Sequence, residues 1–272
     1  MDLFLNMLLY IYRRIKVNIY MITIFVWVES VKIIFLSYFL WNQFSVWLLI
    51  PMFLYFLWKE CVCVSVCLHR YFSHKGFHVH RFTQFIMGIM SCLALQGPPI
   101  WWASKHRRHH KHCDTIKDPH SPIAFSKLYA WVGWVYLGTE NHIDEMYVKD
   151  LIKYPELVFL DKFFPFINWT EQVLCWWIMG AAWSVYVSMW SGLLSQLIIL
   201  HFNVTFHDNI NSIGTCKAKD APTDIFVNIF GEAYHNWHHK HPTKFKRPGL
   251  DLPYWLCIKP CFRIGVFKKQ KF

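Results

Sequence analysis

Four long apolar stretches constrain this chain most strongly, because segments of this length and composition are poorly soluble in water. They cover residues 19–40, 44–68, 171–190 and 193–207. A helix crosses the hydrocarbon core of a bilayer with about 20 apolar residues. A fifth stretch, 82–95, is too short to cross and ends at Gln96-Gly97-Pro98-Pro99, a strong helix stop. The sequence therefore predicts an all-α integral membrane protein whose four transmembrane helices form two hairpins.

Composition and charge favour a lipid environment over nucleic acid. Hydrophobic residues make up 55% of the chain and charged residues only 17%, whereas about a quarter of the residues in a soluble domain are charged. The net charge of +11 suits an anionic lipid surface, and no nucleic-acid-binding motif accompanies it. We therefore expect membrane lipids as partners and no nucleic acid.

The basic residues predict the orientation of the chain in the membrane. Lysines and arginines precede the first stretch and follow the second and fourth, whereas the two remaining connections are short and contain neither. Because basic loops stay on the cytosolic side, we expect both termini and a helical cap in the cytosol. This predicts a cytosolic N-terminal segment, 1–18, and one multi-pass domain, 19–272. The membrane would be the endoplasmic reticulum of a eukaryote or the inner membrane of a bacterium.

The nine cysteines show no CxxC pair, so the sequence indicates neither a cysteine zinc site nor a thioredoxin-like centre. Thiols that face the cytosol are normally kept reduced. We therefore expect no disulfide bond in this chain.

Histidines are concentrated in three clusters. "HRYFSH" contains His69 and His74, "HRRHH" contains His106, His109 and His110, and "HNWHH" contains His235, His238 and His239. The second and third clusters share the spacing i, i+3, i+4, which places three imidazoles on one face of a helix. The i, i+5 pair of the first cluster lies about 140° apart on an ideal α-helix, so it better fits the bend where a helix ends.

A single histidine cluster near lysines is usually a solvated basic surface, but three clusters on one predicted side of the membrane indicate a metal site. Eight imidazoles exceed what one ion can use, so the clusters predict two ions in the cytosolic cap. Imidazole ligands suit Zn, Cu, Fe and Ni, and ligand type alone does not choose among them. A membrane setting favours iron that activates O₂, because unactivated C–H bonds require a metal–oxygen cofactor.

The three clusters resemble the histidine boxes HxxxxH, HxxHH and HxxHH of the membrane fatty acyl desaturases of the stearoyl-CoA desaturase type. "LALQG", "DPHS", "WVGW", "KDLIKYPEL" and "GEAYHNWHH" strengthen the resemblance, which covers roughly residues 44–241. It implies two irons held by nine histidines and, through water, one asparagine. The residues carried over are His69, His74, His106, His109, His110, His207, His235, His238, His239 and Asn203.

Two positions compete for the ninth histidine and its asparagine. Asn203 and His207 satisfy NxxxH at the end of the fourth stretch, and their i, i+4 spacing places them on one helix face. Asn211-Ser212 fits the usual NSxxH locally, but Thr215 then stands where the histidine belongs. We prefer Asn203 and His207. Near the boxes, Asp118 and His120 are candidates to orient a ligand, and Glu232 is a candidate to orient the third cluster.

The resemblance implies an oxidoreductase that inserts a cis double bond into a saturated acyl chain, expected at the delta-9 position of an acyl-CoA. O₂ is the co-substrate, and cytochrome b5 or a ferredoxin-like protein supplies two electrons. A lipid-bound acyl chain is the other substrate class. A histidine-box lipid hydroxylase and a catalytically degenerate metal-binding membrane protein are the alternative functions.

Four residues before or within the second cluster are candidates for contact with the substrate: Gln96, Trp101, Trp102 and Lys105. The first three would line a narrow apolar tunnel, and Lys105 would meet a phosphorylated head group. Interfacial anchoring is the alternative role of the tryptophans, and anionic lipid is the alternative partner of the lysine. The family's Arg-Asp pair before this cluster is replaced here by Ser104-Lys105, which leaves the acyl carrier open.

Overall fold

A computed structural model of the chain describes residues 21–208 and 215–270 and is mostly helical. The predicted N-terminal segment, 1–18, and the alternative asparagine motif at Asn211-Ser212 lie outside these residues. The helices are α1 (Met21–Phe39), α2 (Val46–Ser73), α3 (Arg81–Cys92), α4 (Pro99–His112), α5 (Trp134–Tyr136), α6 (Pro155–Met179), α7 (Ala181–Thr205), α8 (Ile225–Ile229), α9 (His235–Lys240) and α10 (Lys259–Arg263). Wider helical turns at Tyr129–Gly133 and Pro253–Ile258 precede α5 and α10.

Among the described residues, three helices are long and apolar enough to cross a membrane: α1, α2 and α7. The first two correspond to the predicted spans 19–40 and 44–68. The predicted third span, 171–190, is wrong, because the chain turns at Gly180, where φ is +92°. Glycine adopts this left-handed conformation without strain. Apolar residues flank the turn on both sides, so hydropathy alone did not reveal it, and α7 runs unbroken through the predicted boundary at 190–193.

Helix α6 is as long as a spanning helix, but its two halves differ. Its first half carries Glu156, Asp161 and Lys162, and its second half exposes large apolar side chains such as Trp177, which is 82% exposed. Exposed apolar side chains on α1 and α2 extend this surface, for example Ile34 at 62%. Apolar patches of this extent mark contact with lipid or another apolar partner. Together with the three apolar helices, they identify a membrane protein.

A buried polar network joins α1 to α6 inside this apolar region. Glu29 is fully buried and accepts hydrogen bonds from Lys32 Nζ at 2.5 Å, Trp169 Nε1 at 2.8 Å and Gln172 Nε2 at 2.8 Å. Polar groups are costly in hydrocarbon unless they are paired within the protein. The network therefore fixes how α1 lies against α6.

Helix α2 is the centre of the packing and contacts α3, α4 and α7. The short apolar stretch that was predicted not to cross the membrane forms α3, which packs one face against α2 and α6. Gly88 allows this close approach, since a Cβ atom there would lie 2.5 Å from Leu160 Cδ1. Two short antiparallel strands, β1 (His78–Val79) and β2 (Phe267–Lys268), tie the end of the described chain to the segment after α2. The contacts of α2 with α4 and α7 bring together the histidines at the ends of α2 and α4 and His207, which follows α7.

Candidate metal centre

The first histidine pair lies at the end of α2, where the helix widens. Residues Lys59–Ser73 form i→i+5 hydrogen bonds, and the His74 N–H donates to the His69 carbonyl at 3.1 Å. Such π-helical turns are rare and occur frequently at functional sites. The wider turn brings two side chains at i, i+5 to the same side, and the two ring centroids are 5.0 Å apart.

The second and third clusters are helical, as their spacing predicts. His106, His109 and His110 lie on the last turns of α4, and His235, His238 and His239 are three of the six residues of α9. Proline at the first position of α4 suits a helix start because its missing N–H would be unpaired there anyway. The two helices face each other across the end of α2.

The nine histidines meet in two groups. Within each group, one ring nitrogen per residue lies within 4.8 Å of all the others. The five-histidine group consists of His69, His74, His106, His110 and His238. The four-histidine group consists of His109, His207, His235 and His239. His207 directly follows α7 and its capping residue, so the structure brings the preferred ninth candidate to the second group.

Ring nitrogens within each group point at one another at short range. The Nε2 atoms of His74 and His106 are 2.8 Å apart, and those of His207 and His235 are 2.9 Å apart. A neutral imidazole donates from only one of its nitrogens. Converging nitrogen lone pairs repel one another unless a cation lies between them, so this donor set fits two metal ions.

Buried carboxylates hold the opposite nitrogen of three of these rings. His69 Nδ1 lies 3.1 Å from Glu232 Oε1, His109 Nδ1 lies 2.8 Å from Asp118 Oδ2, and His207 Nδ1 lies 3.0 Å from Asp114 Oδ2. A carboxylate at this position fixes the hydrogen on Nδ1, which leaves the Nε2 lone pair for the metal. Metal-binding histidines characteristically have such partners. Both the histidines and the carboxylates behind them are therefore typical of a metal site.

Electrostatics keep most of these imidazoles neutral. Burial, and after it the positive charge of neighbouring groups, holds the pKa of His106, His110 and His238 well below 6.5. Burial also opposes the charge of His109, but the adjacent carboxylate of Asp118 raises its pKa. A neutral imidazole is the form that binds a metal. His106, His110 and His238 can therefore bind a cation without first losing a proton.

Two of the three carboxylates have roles that sequence reasoning missed. Glu232 was expected to orient the third cluster, but it holds His69 of the first. Asp114 was not singled out, although it lies only four residues after the second cluster. Its backbone φ is +59°, and its carboxylate also accepts the backbone N–H of Lys217 at 2.7 Å. The only sequence signal was an acidic residue just beyond a helix that carries histidines.

The expectation that every cysteine is a free thiol is wrong for one pair. Cys113 and Cys216 form a disulfide bond, with their Cα atoms 5.0 Å apart and a sequence separation of 103. The two positions meet because the end of α4 and the segment after α7 pack against the same histidines. Sequence spacing gives no indication of such a contact.

A mostly apolar cavity of about 600 Å³ adjoins the metal centre. Its wall includes His69 and His106 of the five-histidine group and His109 and His235 of the four-histidine group. Its apolar lining consists of Val64, Trp102, Trp131, Leu197, Ile198, Ile199, Phe202, Phe206, Phe226, Val227 and Phe230. A long apolar ligand in this cavity would contact both groups of histidines.

Of the four predicted substrate residues, only Trp102 is among the described residues that line the cavity. Asn203, predicted as a metal ligand through water, lines it as well. Gln96, Trp101 and Lys105 are not among the described residues that line it. Gln96 Nε2 donates to Ser195 Oγ at 3.0 Å, and the indole of Trp101, which is only 2% exposed, donates to the carbonyl of Glu140 at 2.7 Å.

Lys105 is committed to the protein interior. It is 1% exposed, and its ammonium lies 2.8 Å from Glu140 and 2.9 Å from Asp144. Arg108 pairs with the same two carboxylates. A buried cation that already has two anionic partners is poorly placed to meet the head group of a substrate.

Comparison with known proteins identifies relatives over most of the chain. No protein-family model matches it. It is 30% identical over 184 residues to the sn-1 stearoyl-lipid 9-desaturase of Anabaena variabilis, which covers 65% of each chain. It is 30% identical over 205 residues to the acyl-CoA Delta(11) desaturase of Spodoptera littoralis, with coverage of 70% of this chain and 59% of the relative.

A third relative extends the similarity to nearly the whole chain. The sn-1 stearoyl-lipid 9-desaturase of a Synechocystis species is 27% identical over 266 residues, which are 92% of this chain and 80% of the relative. The chain spans 65% and 59% of the lengths of the first two relatives, respectively. These proteins share one type of reaction, although their names give different acyl carriers and bond positions.

Proposed function

We propose that this chain, which is similar to fatty acyl desaturases over most of its length, is a membrane-bound oxidoreductase of that family that introduces a cis double bond into a saturated acyl chain. The delta-9 position is the expected one, as in the names of two of the relatives. The observation that carries the proposal is the apolar cavity, whose wall contains histidines from both groups. This arrangement suits a reaction at a metal centre on a chain without polar groups.

The two histidine groups would each hold one iron ion, and Asn203 would complete the four-histidine group through a water. When bound, the irons supply the O₂-dependent oxidation that breaks two C–H bonds of the acyl chain. The carboxylates of Glu232, Asp118 and Asp114 keep the hydrogen on Nδ1 of their histidines, so the ligand set does not rearrange. Apolar walls such as Phe202 and Phe230 align the acyl chain and exclude water from its reacting carbons.

The acyl chain would arrive on a carrier, either coenzyme A or a membrane lipid. The cations on α4 offer little support for a phosphate contact, since Lys105, Arg107 and Arg108 all form ion pairs within the protein. Recognition of the carrier would then fall to other residues at the mouth of the cavity. The two electrons would come from a separate donor, cytochrome b5 or a ferredoxin-like protein, and a chain with a net charge of +11 would suit a donor that presents acidic residues.

We place the centre on the cytosolic side of the membrane, with both termini on that side. The whole of α6, which is 25 residues long, would serve as the remaining span beside α1, α2 and α7, giving four crossings. The membrane would be the endoplasmic reticulum or the bacterial inner membrane, and 19–272 would form one domain.

The proposal is tested by expressing the chain in a desaturase-deficient yeast and analysing its fatty acids by gas chromatography, with localisation of the double bonds. We expect new cis-unsaturated chains with the wild type and none with His235→Ala. Hydroxylated chains instead of alkenes would replace the proposal with a hydroxylase. A membrane-inserted, metal-loaded protein that yields neither product would indicate a catalytically degenerate protein.

A further inference from the structure

The Cys113–Cys216 disulfide lies directly against the four-histidine group. Cys113 follows the end of α4, and its Sγ is 3.8 Å from His207 Nδ1. Cys216 belongs to the segment after α7, and its Sγ is 3.6 Å from His239 Nδ1. Each sulfur thus touches the outer nitrogen of a different ring in the same group.

The residues next to the two cysteines reinforce this contact. Asp114 follows Cys113 and accepts a hydrogen bond from the backbone N–H of Lys217, which follows Cys216, at 2.7 Å. The same carboxylate oxygen, Oδ2, is 3.0 Å from His207 Nδ1. The disulfide and this hydrogen bond therefore clamp the two segments together, with Asp114 held against His207.

We propose that Cys113 and Cys216 form a reversible redox modification site, and that its oxidised state tightens the hold of the four-histidine group on its metal. The inference rests on the metal centre of the proposed function. Mutation of a residue that hydrogen-bonds to a metal ligand commonly changes metal affinity by about 10- to 100-fold. Cleaving the disulfide removes the covalent cross-link beside the Lys217–Asp114 hydrogen bond, and so loosens Asp114, which orients His207.

Hydrogen peroxide as oxidant and a dithiol as reductant balance the formation and the cleavage of this disulfide. Two thiols and one molecule of hydrogen peroxide give one disulfide and two molecules of water. One thiolate attacks a peroxide oxygen and becomes a sulfenic acid, and the second sulfur then displaces the hydroxyl as water. In the reverse direction, a dithiol reductant opens the bond in two exchange steps and is itself oxidised to a disulfide.

Access differs between the two sulfurs. Cys113 is 6% exposed, whereas Cys216 is only half-buried. Exchange requires the attacking thiolate to approach one sulfur along the bond, so Cys216 is the position where a reductant enters. The other described cysteines have no such neighbours, and Cys175 on α6 can serve as a control remote from the histidines.

The first experiment uses the purified, iron-loaded wild type in detergent, after treatment with either dilute hydrogen peroxide or a dithiol. Free thiols are blocked before reduction and labelled afterwards, so that mass spectrometry reports the oxidation state of Cys113 and Cys216. Iron release to a chromogenic chelator is followed in parallel. We expect one of the two irons to leave about tenfold faster from the reduced protein.

Two variants make the result specific. Cys216→Ser should release one iron at the fast rate whatever the treatment, whereas Cys175→Ser should behave like the wild type. Equal release rates in the oxidised and reduced wild type would overturn the proposal, as would cysteines that stay reduced under peroxide. A protein that forms the disulfide but binds no metal would instead refute the metal centre of the proposed function.

Discussion

Replacing Glu232 by glutamine removes one negative charge from the wall of the metal centre while keeping the shape of the side chain. Burial alone would raise the pKa of this carboxyl, but His69 and then Arg247 lower it from 4.5 to about 2. A shift of this size means that the surroundings favour the charged carboxylate by roughly 3 kcal/mol. Carboxylates that hold metal-binding histidines commonly change metal affinity by about 10- to 100-fold, so we expect the loss of this one to lower the affinity of His69 for a cation by about tenfold.

We therefore expect Glu232→Gln to weaken one metal of the two by about tenfold, because His69 belongs to the five-histidine group only. The assay is the iron content and chelator-driven iron release of the purified protein, with thermal unfolding as a check on folding. Glu156→Gln is the matched control, since Glu156 pairs with Arg81 at the surface. Equal iron retention in Glu232→Gln and the wild type would refute the argument that this carboxylate supports His69.

Three further substitutions separate the roles of the metal centre, the cavity and the ion pairs. His207→Ala should leave about one iron per chain, measured by elemental analysis, because only the four-histidine group loses a ligand; two retained irons would exclude this residue as a ligand. Val64→Phe should reduce the conversion of long acyl chains about tenfold relative to shorter ones, measured by product chromatography, because the larger side chain occupies part of the cavity. An unchanged chain-length profile would indicate that the substrate binds elsewhere. Lys105→Met should lower the free energy of unfolding by roughly 3 kcal/mol, because it removes one cationic partner from each of two carboxylates. The KM for the acyl substrate should not change. A raised KM at unchanged stability would instead support contact between Lys105 and the substrate head group.

Local features of this fold could be read from the sequence, because they depend on residues close together in the chain. The i, i+3, i+4 spacing of the histidines predicted the helices α4 and α9, and the stop after residue 95 predicted the end of α3. The turn at Gly180 escaped detection because hydropathy is continuous across it. A single glycine with a positive φ is compatible with many other positions in a chain, so only the packed structure singles it out.

Contacts between distant segments could not be read from spacing. Glu232 was predicted near the cluster that follows it in sequence, yet it contacts His69 on α2, 163 residues away. The disulfide between Cys113 and Cys216 likewise depends on two segments that meet only because both pack on the four-histidine group. Such partners are set by how helices pack, which a pattern within one helix does not encode.

The division of the histidines between two ions follows from the geometry of the HxxHH pattern itself. On an α-helix, residues at i and i+4 point about 40° apart, whereas the residue at i+3 points about 100° away from i+4. On α4, His106 and His110 accordingly join the five-histidine group, and His109 joins the other. On α9, the i, i+4 pair joins the four-histidine group, and His238 joins the other. Each helix therefore lies between the two groups and contributes to both, so this spacing, repeated on two facing helices, suits a centre of two ions better than two separate sites of one ion each.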